Sequence, residues 1–103
     1  MIEVYGRTDW YRSRPEPESV WSGTLKERTE VLGPGSRGGL AYTLITEQDQ
    51  LNVYAANVKE VLEPFLGRPV LIRGKLVNLS NEGEGQELWI ATIEAYYSRH
   101  HNS

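Results

Sequence analysis

The stretch Asn57-Val58-Lys59-Glu60-Val61-Leu62-Glu63-Pro64-Phe65-Leu66-Gly67 is where the hydrophobic period of the chain changes. Val58, Val61, Leu62 and Phe65 recur at i, i+3, i+4 and i+7, which stripes one face of a helix. Asn57, with Glu60 three residues on, suits an N-cap and its reciprocal partner. Pro64 removes an amide that a longer helix needs, and Gly67 offers a left-handed exit. The spacing therefore predicts a short helix of about two turns.

On both sides of this helix the period is two, the mark of half-buried strands. Downstream, Val70, Ile72, Gly74 and Leu76 alternate with Leu71, Arg73, Lys75 and Val77 in a strand over Pro69 to Val77. Asn78 to Gln86 reads as a loop, and Glu87 to Tyr97 as a last strand with Trp89, Ala91, Ile93 and Ala95 on one face. Upstream, Leu40 to Thr46 and Leu51 to Ala55 flank the polar Glu47-Gln48-Asp49-Gln50, as in a hairpin, with Val53 inward and Asn52 and Tyr54 outward. A long first strand covers Val20 to Leu32, with Trp21, Gly23 and Leu25 on one side and Ser22, Thr24, Lys26 and Arg28 on the other. Gly33-Pro34-Gly35-Ser36-Arg37-Gly38-Gly39 is a loop by its composition.

Long strand, glycine-rich loop, hairpin, short helix, strand, loop, strand is the element order of the OB-fold superfamily, a five-stranded Greek-key barrel. From Val20 to Tyr97 the chain resembles that superfamily, in particular its anticodon-binding and single-strand-binding members. Gly23, and Gly74 within Val70-Leu71-Ile72-Arg73-Gly74-Lys75-Leu76, stand where a small barrel needs a strand to bend without a side chain. The resemblance implies an all-β, five-stranded Greek-key OB-like barrel with one short helix between its third and fourth strands. The domain reading is an N-terminal arm over 1–19, the barrel over 20–97 and a tail over 98–103.

Composition narrows the function. The 103 residues suit one domain, and 39% hydrophobic residues are too many for a disordered chain. With no cysteine, thiolate metal sites, disulfides and cysteine nucleophiles are excluded. His100 and His101 sit side by side in a polar tail, and no third zinc ligand stands at a suitable spacing, so neither a catalytic base nor a metal centre is expected. The glycine-rich loop lacks the Lys-Ser/Thr pair and the following helix of a phosphate loop. MIEVYGRTDW has no basic segment leading into an apolar run, and no window has the length of a membrane span. These readings give a cytoplasmic, non-enzymatic binding module without cofactor and without a membrane partner.

Two ligand classes remain. The net charge of −3 opposes non-specific coating of nucleic acid. Residues 65–77, however, carry Arg68, Arg73 and Lys75 and no anion. OB barrels bind single strands by stacking bases on aromatic side chains while cations follow the backbone. By that logic single-stranded DNA or RNA is the first expected partner, with Tyr54 for stacking and Lys26, Arg28, Arg37, Arg73 and Lys75 for phosphate. The alternative is a protein partner met by the barrel face, a sheet edge or the arm residues Trp10, Tyr11 and Arg12, since aromatic residues and arginine anchor interfaces. Trp21 and Trp89 are expected in the core.

Overall fold

The computed structural model describes residues 1–27, 42–79 and 85–96. Arg28, Arg37, the glycine-rich loop and the tail histidines lie outside the described residues. The described residues are mostly strand: β1 (Ile2–Glu3), α1 (Asp9–Arg12), β2 (Glu18–Glu27), β3 (Tyr42–Ile45), β4 (Gln50–Tyr54), α2 (Lys59–Leu62) with a 3₁₀ turn over Glu63–Phe65, β5 (Pro69–Asn78) and β6 (Gln86–Ala95). The strands form one six-stranded sheet in the order β1-β6-β4-β3-β2-β5, and β6 pairs with β5 to close a ring. All pairings are antiparallel except that of β4 with β6. The α2 and 3₁₀ segment fills the crossover from β4 to β5.

The period-two residues fill the ring. Leu25, Leu44, Val53, Val70, Ile72, Leu88, Ile90 and Ile93 are fully buried in one cluster, closed from the crossover side by Leu62. Burying a large aliphatic side chain contributes roughly 1.5–3 kcal/mol, so this cluster dominates the driving force for folding. Gly23 and Gly74 are required by close backbone approach. A Cβ on Gly23 would fall on the carbonyl oxygen of Ile45, and one on Gly74 on the carbonyl oxygen of Trp89.

Three expectations are corrected. Asn57 is not the N-cap of α2: it turns the chain with a positive φ of 64°, a conformation that Asn tolerates, and Val58 precedes the helix without a side-chain cap. Gly67 does take its left-handed exit, at φ 77°. Trp89 does not share a face with Ile93. Arg73 pairs with Thr92 but Gly74 pairs with Ile90, so Ala91 is an extra residue in β6, and the bulge sends Trp89 to the outside of the ring while Leu88 and Ile90 stay inside.

The third correction concerns the arm expected over 1–19. Ile2 and Glu3 pair with Ile93 and Thr92, and the Val4 and Tyr5 amides donate to the Ala91 and Ile90 carbonyls at 2.8 and 2.9 Å. Thr8 caps α1 by accepting from the Tyr11 amide, and Asp9 in the first turn complements the helix dipole. Tyr5 and Tyr11 are buried in a second cluster with Val77, Leu79, Trp89 and Ala91 on the outer side of the ring. The segment packs back because its aromatic side chains find an apolar outer wall that the bulge in β6 supplies.

Candidate functional site

Register fixes which side chains share the outer wall. Lys26 of β2 stands opposite Thr43 of β3, and Thr43 opposite Asn52 of β4. Two residues along from Asn52, Tyr54 stands opposite Trp89 of β6, and Trp89 opposite Lys75 of β5. Since strand residues alternate faces, these groups all project outward.

Around Tyr54 lies an aromatic cluster. Its ring centroid is 5.7 Å from that of Tyr5, 5.9 Å from Trp89 and 6.1 Å from Trp10, and Trp10 meets Trp89 edge-on at 5.1 Å. Trp10 and Tyr5 are 4.8 Å apart. Offset and edge-to-face pairs at such separations are favourable by about 0.5–1.5 kcal/mol beyond burial alone. Trp10 keeps 43% of its surface exposed, Tyr54 is half-buried and Trp89 is buried. The Arg14 guanidinium stands 5.6 Å from the centre of the Trp89 ring.

Polar groups at the base of the cluster hold it in place. The Tyr5 hydroxyl donates to the Ala56 carbonyl at 2.6 Å, and the Trp89 indole N–H donates to Glu87 Oε1 at 3.0 Å. Burial, with Tyr54 close by, pushes the Tyr5 hydroxyl well above the usual tyrosine range. Burial also raises Tyr11, aided by the hydrogen bond from its hydroxyl to Glu18 Oε2 at 2.7 Å. Both phenols therefore stay protonated donors. Arg14 donates twice to Glu16, at 2.7 and 3.1 Å, and this holds the Glu16 carboxyl at about 2, well below its ordinary 4.5.

The expected cations are dispersed. Lys26 is exposed on the outer wall, and Arg73 is exposed with its guanidinium 3.9 Å from Glu18. Lys75 points outward as its parity requires, but the N-terminal segment covers it. It is only 8% exposed, donates to the Tyr11 and Arg14 carbonyls at 2.9 Å each and lies 4.6 Å from the Tyr11 ring centre. It is thus a strut between β5 and the α1 segment, not a surface cation. Of the expected partner anchors, Tyr11 is buried, Trp10 is partly exposed against Tyr54 and Arg12 is exposed on α1. Tyr5 and Trp89 lie outside the expected site residues; the signal that could have found the first is Thr8 followed by Asp9, a helix start within a segment read as an arm. Among the described residues no three acidic or histidine side chains gather as metal ligands.

No protein-family model matches the chain, and no characterised protein or solved structure is significantly similar to it. The geometry of the outer wall carries the functional argument alone.

Proposed function

We propose that this chain is an OB-type Greek-key barrel that binds single-stranded DNA or RNA without catalysis, across the outer wall of β2, β3 and β4. The fold reading is supported by the ring order β2-β3-β4-β6-β5 with a parallel β4–β6 contact, and by the helical segment between β4 and β5. The observation that carries the function is the Tyr54–Trp10–Trp89 cluster beside the Lys26–Thr43–Asn52 row. Bases stack on Trp10 and the accessible part of Tyr54, Thr43 and Asn52 supply hydrogen bonds, and Lys26 meets a phosphate. Stacking is sequence-tolerant and contributes ~1–3 kcal/mol per base. With Lys75 engaged internally, electrostatics is the smaller part of the affinity.

The alternative of Trp10, Tyr11 and Arg12 as a protein-binding arm has less support, because Tyr11 is buried and the segment is part of the folded body. Fluorescence anisotropy with labelled oligodeoxynucleotides and oligoribonucleotides at two salt concentrations tests the proposal. Trp10→Ala and Tyr54→Ala should each weaken binding by ~1–3 kcal/mol. Lys26→Ala should make the slope of log affinity against log salt shallower by ~0.7. Absence of binding at low salt overturns the reading.

A further inference from the structure

Two strands of the ring are each covered along only part of one side. On one side of β6, β4 pairs with Leu88 and Trp89, and β1 then takes over at Thr92 and Ile93. On one side of β2, β3 pairs with Thr24 to Glu27 and leaves at Ile45 into the turn at Thr46, while β5 covers the other side from Glu18 to Thr24. The Ile45 carbonyl still covers Gly23, and among the described residues no strand takes over beside Glu18–Ser22. The open stretch borders a groove of about 670 Å³ between β2 and the β3–β4 turn. That volume lies within the ~300–1,000 Å³ of ordinary ligand sites.

The groove has a definite chemistry. Val20, Ile45 and Tyr96 line it and are 53%, 36% and 47% exposed, unusually open for large apolar groups. Trp21 and Leu51 form the inner part, against the main core. Glu47 and Asp49 stand on the turn at its rim, and among the described residues no Lys, Arg or His lines it. Both are exposed, and neither carboxylate enters an ion pair among the described residues. The Thr46 hydroxyl accepts from the Asp49 amide at 2.9 Å, so the turn presenting these charges is braced.

We propose that this groove binds an extended peptide that pairs as an added strand with the open side of β2 at Glu18–Ser22 and carries alternating apolar and basic side chains. The backbone supplies the pairing, Val20, Ile45 and Tyr96 take the apolar side chains, and Glu47 and Asp49 take the basic ones. A nucleic-acid backbone is disfavoured by the acidic rim. A second copy of this chain pairing through the same stretch is disfavoured too, because it brings further anions to the groove. The groove shares no residue with the Tyr54 cluster, so the proposal stands or falls independently of oligonucleotide binding.

The test uses the full chain and fluorescein-labelled hexapeptides. A peptide alternating valine and lysine binds, with amide NMR shifts confined to Ser19–Gly23, Ile45–Leu51 and Tyr96. The same peptide N-methylated at alternate residues, which cannot complete a strand pairing, binds about tenfold more weakly or worse. The double variant Glu47→Lys with Asp49→Lys loses about tenfold affinity for the unmethylated peptide while keeping its circular-dichroism spectrum. A peptide alternating valine and glutamate does not bind. Equal binding of the methylated and unmethylated peptides overturns the proposal, as do shifts that map elsewhere. Concentration-dependent dimerisation of the chain through this groove overturns it in favour of self-association.

Discussion

β6 and β2 share the problem of a long strand with one side only partly paired, and they answer it differently. Beside β6 the chain places its own β1, and the following residues bury Tyr5 and Tyr11 over the Trp89 bulge. Beside β2, among the described residues, it leaves Glu18–Ser22 next to a groove with an acidic rim. The covered side thus buries two tyrosines, whereas the open side leaves Val20 exposed. An exposed strand edge is a liability in most proteins, and the charged rim and short length of this one limit non-specific pairing.

The largest expected effect comes from uncovering β6. Truncation of residues 1–14 removes β1 and two buried tyrosines, each worth ~3–5 kcal/mol by analogy with large aromatic deletions, against a total stability of ~5–15 kcal/mol. The truncated chain should lack a cooperative thermal transition by circular dichroism; a melting temperature within a few degrees of the parent would show that the second cluster is decorative. Next, Gly74→Ala puts a methyl against the Trp89 carbonyl between two long paired strands, and urea denaturation should show a loss of ~3 kcal/mol.

Tyr11→Phe keeps the apolar ring but deletes the hydrogen bond to Glu18, and should lower the unfolding free energy by ~1–2 kcal/mol. Smaller still is Glu16→Gln, at under ~1 kcal/mol because the Arg14 pair is near the surface. Its sign with pH is fixed. The folded-state value of about 2 lies below the ordinary 4.5, so the contribution is present above 4.5 and lost as pH falls through about 2. Urea midpoints of the parent and Glu16→Gln should therefore converge on acidification. On the open side of β2, Val20→Thr should leave stability within ~0.5 kcal/mol. A larger loss would mean that this side of β2 is covered after all.

Legibility followed periodicity. Period two sets Leu25, Val53 and Ile72 each on one face of its strand, and all three are fully buried, because alternation is a local property of an extended backbone. Tyr54 was correctly expected outward, and so was Lys75. Yet outward from a strand is not the same as exposed, and Lys75 is roofed by carbonyls of Tyr11 and Arg14, more than sixty positions earlier in the chain. Period two alone sets Trp89 beside Ile93, but one extra residue, Ala91, reverses the parity of half of β6, and nothing in the local sequence announces a bulge. Trp10 and Tyr11 lie in a segment without period, so propensity could not show that they pack.

The sequence by itself determined the five strands β2 to β6, the interrupted helix at Pro64 and the two glycines where backbones approach, since each follows from local sterics and alternation. Tertiary structure alone decided which outward residues meet. The aromatic cluster, the buried lysine and the open side of β2 all arise from contacts between distant segments, whose energy depends on closure of the ring and not on any neighbour in sequence.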